Sequence, residues 1–169
     1  MRQFIRLTFL VILVAPVLAH AWGINFDRDF DEQKKPWEEL NAQLPAYPKD
    51  VNLQEFYVSG LVGNHYFVDK TSLEPGKDGV VRYVLVIKTR GGATNVSFEG
   101  IRCANRERKI YAIGHSDGTW SRARDSTWQA ISSVSALSYH RALADEYLCP
   151  QGEMVDSAKE ALKKMQPAW

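Results

Sequence analysis

Cysteine is scarce in this sequence, and what is missing narrows the chemistry. Among 169 residues only Cys103 and Cys149 occur, and no Cys-x-x-Cys is formed, so a redox motif of that kind is excluded. No glycine-rich phosphate cradle is present; Gly91-Gly92 is a lone pair in a hairpin turn. His65, His115 and His140 have no His-x-x-x-His or Cys/His spacing, so no metal site is expected, and nothing calls for a cofactor. There is no excess of either charge: 21 basic residues face 20 acidic ones. A near-neutral chain has no field to draw it to nucleic acid, and none is expected as a partner.

The one uncharged apolar stretch lies at residues 7–18, behind Arg2 and Arg6. It is shorter than the roughly 20 residues of a spanning helix. Ala19-His20-Ala21 follows it with small residues at the two positions that a signal peptidase reads. Residues 1–21 are therefore expected to be a signal peptide cleaved between Ala21 and Trp22, with no transmembrane segment left afterwards. The protein is then periplasmic or secreted, and in that oxidising setting Cys103 and Cys149 are expected to form a disulfide.

Residues 22–49 read as a charged arm followed by a short helix from Pro36 to Pro45, with Trp37, Leu40 and Leu44 on one face. Strand-like runs follow at 53–59, 65–69, 80–89, 94–103 and 109–115, separated by turn clusters such as Glu74-Pro75-Gly76-Lys77-Asp78-Gly79. In the run at 80–89, Val81, Tyr83, Leu85 and Ile87 share one face, with Arg82, Val84, Val86 and Lys88 on the other. Such a strand is expected at the centre of a sheet, covered on both sides. In the next strand Val96 and Phe98 keep phase with Ile101 and Cys103 only if it slips by one residue. Gly100 suggests a β-bulge at that point, which would bring Glu99 and Arg102 together on the face away from the core. Residues 119–131 read as a last edge strand or an ordered loop. Amphipathic helices are expected at 134–148 and 153–165. The fold class is α+β: an antiparallel meander of about five strands, helices at the N- and C-terminal ends, and one disulfide.

The segments Asp78-Gly79-Val80-Val81-Arg82-Tyr83, Asn95-Val96-Ser97-Phe98-Glu99-Gly100-Ile101-Arg102-Cys103, Tyr111-Ala112-Ile113-Gly114, Asp117-Gly118-Thr119-Trp120 and Tyr139-His140-Arg141-Ala142-Leu143 occur in this order and end at Cys149. Together they resemble the cryptic neisserial protein-like family, small exported proteins of proteobacteria, over residues 50–150. The resemblance implies a one-domain exported protein and brings no catalytic residue with it. It divides the chain into a signal peptide (1–21), an arm with a short helix (22–49), the family domain (50–150) and a tail helix (151–169).

His115-Ser116-Asp117 contains the residue types of a hydrolase triad, but neighbours along a strand point to opposite faces. A surface turn is the better reading of these three. Glu99 and Arg102 read either as an ion pair pinning the bulge or as part of a binding surface with Trp120 and Trp128. There the arginine would engage an acid and the indoles would stack; burial of both tryptophans beneath the last loop is the other reading. The function expected is that of a non-enzymatic binding or interaction module of the cell envelope, whose partner is an envelope protein or a small ligand. The alternative is a periplasmic hydrolase whose acid and base, from Glu99, Asp117 and His115, are assembled by the fold. Protein recovered from the periplasm is expected to begin at Trp22 by intact-mass measurement; a chain that keeps Met1 to Ala21 would end the export reading.

Overall fold

A strand with apolar side chains on both faces needs a cover on each side, and the sheet is built around such a strand. A computed structural model describes residues 36–60, 63–132 and 138–166. The expected leader with its Ala21/Trp22 junction, the arm up to residue 35 and the first turn of the helix expected from 134 lie outside the described residues. The described residues from Trp37 onward form one compact unit.

The strands are β1 (Leu53–Phe56), β2 (His65–Asp69), β3 (Glu74–Pro75), β4 (Val80–Lys88), β5 (Thr94–Arg102), β6 (Glu107–Gly114), β7 (Trp120–Arg122) and β8 (Gln129–Ala130). They pair in the order β1-β2-β4-β5-β6-β7, every pairing antiparallel. β3 shares the β4 edge with β2, and β8 shares the β6 edge with β7. The meander is the expected one, but the described strands number eight rather than about five. The additional ones are short. Residues 119–131 supply two of them, separated by a loop, instead of one edge strand.

β4 sits at the centre, buried over Val80–Val86. Val81, Tyr83 and Leu85 face a core completed by Leu143, Leu148, Val155, Ala161 and Met165 from the C-terminal segment. Val84 and Val86 face the other way, with Val96, Phe98 and Ala112, beneath Ala42, Tyr47 and Trp120.

The bulge lies on a different strand from the one expected. β5 pairs with β4 in unbroken register from Thr94 to Arg102, so its side chains alternate strictly. Against β6 the register shifts once, from Phe98↔Ala112 to Glu99↔Ile110. The extra residue is therefore Tyr111 of β6, and Tyr111 and Ala112 both serve the second core. Gly100 is required for a different reason. A Cβ there would stand 2.8 Å from the Tyr111 hydroxyl and 3.0 Å from a Val80 methyl. Because β5 does not slip, Ile101 and Cys103 share the helix side with Glu99, while Arg102 joins Val96 and Phe98 on the other side. Glu99 and Arg102 thus lie on opposite faces and form no pair. The apparent loss of phase in the sequence reflects two cores, one on each face.

The N-terminal helix expected at 36–45 is not formed. Residues 36–49 are an irregular strap across the second core. A short helix is marginal on its own, and here its main-chain groups have stronger partners. The Leu40 N–H donates to Asp78 Oδ2 at 2.8 Å, and the Leu40 carbonyl accepts from Arg82 Nη2 at 3.0 Å. The Trp37 indole N–H donates to the Asp78 carbonyl at 2.7 Å. Asp78 and Arg82 are themselves a buried two-pronged pair, at 2.6 and 3.1 Å. Burial works against the Asp78 charge, but Arg82 and the Leu40 amide outweigh it and hold the carboxyl below its ordinary pKa.

At the other end, Ser138 caps α1 (Tyr139–Ala142), which widens into a π-helical turn over Leu143–Leu148. Ser157 caps α2 (Ala158–Met165), whose Ala161 and Met165 are buried in the first core. The Cys103–Cys149 disulfide joins the end of β5 to the residue after the π-helical turn, as expected from the sequence. It closes a sequence separation of 46 residues, for which chain entropy alone gives about 4 kcal/mol. Replacing both cysteines by alanine is expected to lower the melting temperature by about 10–20 °C; a change of only a few degrees would show that the helix docks without the bridge.

Candidate functional site

Strict alternation on β5 places a carboxylate, Glu99, on a face that is otherwise apolar. A buried charge must be met by hydrogen bonds and opposite charge, and the neighbouring elements supply them. Glu99 is 1% exposed. Its Oε1 accepts the Ser97 hydroxyl at 2.6 Å. Its Oε2 accepts His140 Nε2 at 2.8 Å and the Tyr83 hydroxyl at 3.2 Å. Ser97 comes from the same face of β5, Tyr83 lies directly across on β4, and His140 is delivered by α1. Burial pushes the Glu99 carboxyl upward, but His140, Ser97 and the Arg108 cation outweigh it, so its pKa lies below the ordinary carboxylate value and the group is ionised. Burial and the same carboxylate drive the Tyr83 hydroxyl well above its usual range, so it stays a donor.

A cavity of about 340 Å3 adjoins this cluster, walled by Ile87, Ile110, Ile113 and Tyr139. Ser97, Glu99 and His140 are hydrolase residue types, but their order is wrong for nucleophilic catalysis. The imidazole must stand between hydroxyl and carboxylate to take the serine proton; here the carboxylate stands between the other two. His115 and Asp117 are elsewhere, on the β6–β7 hairpin. His115 Nε2 meets the Ser121 hydroxyl at 2.9 Å, and Asp117 accepts the Thr119 hydroxyl at 2.6 Å and its amide at 3.0 Å. The fold therefore pairs Glu99 with neither His115 nor Asp117, and brings it to His140 instead.

On the strap face, Arg102 and Trp128 do come together, with Trp37 rather than Trp120 as the second indole. The Arg102 guanidinium lies 4.1 Å from the centre of the Trp37 ring and 5.5 Å from that of Trp128, and it pairs with Glu107. Glu39 of the strap accepts from Lys109 Nζ at 2.8 Å, the Tyr111 hydroxyl at 2.7 Å and the Trp128 indole at 3.1 Å. Burial opposes the Glu39 charge, but these donors leave its pKa lowered. Trp120 stands apart, donating to the Pro45 carbonyl at 3.1 Å and packing on Tyr47 at 5.5 Å. The four residues expected to share one surface, Glu99, Arg102, Trp120 and Trp128, are thus split between two faces, and the arginine and indoles hold the strap.

Two open features remain on the first sheet edge. A groove of about 740 Å3 lies beside β1, lined by Phe56, Tyr57, Tyr66 and Tyr147 with Glu55 and Glu146 at its rim. Val51 and Tyr57, at 78% and 72% exposed, flank that strand. Among the described residues no group of three or more His, Cys, Asp and Glu could hold a metal, and no helix is long and apolar enough to cross a membrane.

His140, Tyr83, Ser97, Trp37 and Glu39 were not singled out by the sequence. The available signal was Glu99 itself: read without a slip, it is a charge in phase with Ile101 and Cys103 and needs a buried partner.

An antiparallel sheet with two short C-terminal helices, one disulfide and a carboxylate–imidazole pair between sheet and helix defines a small α+β protein of one architecture. The chain belongs to the CNP1-like family, whose model matches residues 32–166; this is the family the sequence resembles. It is also similar to "Cryptic neisserial protein 1" of Neisseria gonorrhoeae (strain ATCC 700825 / FA 1090), 25% identical over 140 residues that cover 73% of this chain and 68% of that protein. No solved structure matches.

Because Glu99 titrates below its ordinary value in the fold, its contribution to stability is present above about pH 4.5 and is lost as the pH falls through the lowered folded value. Glu99→Gln is expected to destabilise the protein by about 3–5 kcal/mol at neutral pH. Denaturant unfolding from pH 6 to pH 2 should show the gap to the wild type closing on the acid side. A pH-independent gap would mean that Glu99 is not the charged member of the cluster.

Proposed function

We propose that this is an exported periplasmic protein of the cell envelope that acts without catalysis, as a binding module engaging a protein partner along the β1 edge. The leader pattern and the closed disulfide support export, since such a bridge persists in an oxidising compartment. The observation that carries the binding reading is the outer edge of β1, which pairs with no strand among the described residues and is flanked by the exposed Val51 and Tyr57. Large apolar side chains next to a free strand edge are a liability unless something covers them. The hydrolase alternative is less well supported, because the buried carboxylate–imidazole pair, Glu99 with His140, is consumed in joining helix to sheet and leaves Ser97 without a base. The second such pair, Glu55 with His65, is exposed on β1 and β2.

Position-specific photo-crosslinking in intact cells tests this reading. A crosslinker at Tyr57 is expected to capture a discrete envelope protein, and one at Thr119 on the β6–β7 hairpin is expected to capture none. Equal capture from both sites would overturn it. So would turnover of an envelope polymer by the purified protein that disappears in both Glu99→Gln and His140→Ala.

A further inference from the structure

We propose that the free edge of β1 accepts an extended, positively charged segment of another protein as an added strand; this rests on the binding-module reading above and specifies the partner's chemistry.

The hydrogen-bond phase of β1 is fixed by its first contact. The Lys70 N–H donates to the Asn52 carbonyl at 2.9 Å. The register Gln54↔Val68 and Phe56↔Tyr66 continues that phase, so Gln54 and Phe56 carry the bonds to β2. By alternation the main-chain groups of Leu53, Glu55 and Tyr57 point away from the sheet. Some of these are already used locally. The Leu53 N–H goes to the Asp50 carbonyl. The Glu55 carbonyl takes the Gln54 side-chain amide at 3.1 Å, and the Tyr57 carbonyl takes the Tyr147 hydroxyl at 3.1 Å. The Leu53 carbonyl and the Glu55 and Tyr57 N–H groups are left without a main-chain partner among the described residues. A set of groups repeating every second residue is what another extended chain pairs with.

Charge decides the kind of chain. Glu55 and Glu146 stand at the groove rim. Lys164, the one lysine in the lining, is 3.7 Å from Glu160 of its own helix. Glu55 Oε1 meets His65 Nδ1 at 2.7 Å, with both side chains more than half exposed. A segment carrying lysine or arginine therefore meets Glu146 and, in competition with His65, Glu55, while its alternate apolar side chains meet Phe56, Tyr57, Tyr66 and Tyr147. The same charge disfavours a second copy of this chain. Two β1 strands paired antiparallel about Glu55 would set the two carboxylates opposite each other.

The test uses the mature protein and a fluorescein-labelled nine-residue peptide alternating lysine with valine and phenylalanine. Its counterpart has glutamate in place of lysine. Fluorescence anisotropy is expected to show the lysine peptide binding at least about tenfold more tightly than the glutamate peptide, or ~1.4 kcal/mol. Glu55→Pro removes an N–H that the fold does not use, a change tolerated at a strand edge, and is expected to weaken the lysine peptide by about tenfold or more. Glu55→Lys keeps the N–H and is expected to reverse the preference, which keeps the proposal testable if the proline variant does not fold. The amide resonances of Glu55 and Tyr57 should shift on binding. No binding of the lysine peptide, undiminished binding by Glu55→Pro, or shifts confined to the Glu99 cavity would overturn the proposal. So would a concentration-dependent dimer that Glu55→Pro abolishes, in favour of self-pairing. If the lysine peptide fails while Tyr57 still captures a partner in cells, this inference falls alone; if both fail, the binding-module reading falls with it.

Discussion

A sheet covered on both faces can leave no charge of its central strands unanswered, and the rest of this structure follows from that constraint. β4 and β5 each project one ionic side chain into a closed layer: Arg82 toward the strap and Glu99 toward the helices. An uncompensated charge at either place would cost several kcal/mol. Each is met by an element that has little regular structure of its own. Asp78, in the turn before β4, grips Arg82 and at the same time holds the strap through the Leu40 amide. His140, in the first turn of α1, reaches Glu99 across the first core. The two covers are therefore positioned by ionic contacts as well as by apolar burial.

The same constraint explains why hydrolase residue types gather at Glu99 without the order of a nucleophilic triad. A carboxylate that must stay ionised in a closed layer collects every donor within reach, here Ser97, Tyr83 and His140. An arrangement that satisfies the carboxylate puts it at the centre, and nucleophilic catalysis needs the imidazole there. The disulfide adds to this on the same face. It fastens the far end of the helical segment to the end of β5, while His140 fastens the near end. The segment is held at two points about one helix length apart.

Much of this was legible in the sequence, and the losses have identifiable causes. The two-faced pattern of residues 80–88 was enough to place β4 at the sheet centre, and the cysteine pair was enough for the bridge. β5 was misread because Val96 and Phe98 belong to one core and Ile101 and Cys103 to the other. A single apolar face requires a slip at Gly100, and that slip moves Glu99 out to join Arg102. The extra residue is in fact Tyr111 on the neighbouring strand, and strand periodicity alone does not say which of two partners carries a bulge. The strap failed differently. Trp37, Leu40 and Leu44 do recur at helical spacing, but the Leu40 main-chain groups are claimed by Asp78 and Arg82, side chains about forty residues away. The Arg102 clasp was half legible, since Trp128 reaches it and Trp120 does not. His140, a lone histidine on a helix, carries no signal until the charge opposite it is known.

The two ends of the sheet are finished differently, and that difference bears on function. At one end the outer position is divided between β7 and β8, of three and two residues, with charged side chains between them such as Arg124 and Asp125. An edge that short and interrupted offers little to a passing strand. At the other end β1 runs unbroken, paired among the described residues only with β2, beside an aromatic groove and between exposed apolar residues. Proteins ordinarily blunt such an edge with a bulge, a proline or a lysine pointing outward. Here the only charged side chain on the strand is Glu55, which meets His65 of β2, and in the proposed strand addition its sign favours a cationic segment over a second copy of the chain. A fold that protects one edge and leaves the other continuous, apolar and acidic has the asymmetry that a docking edge requires, and it achieves this without using any of the buried charges on which its own stability depends.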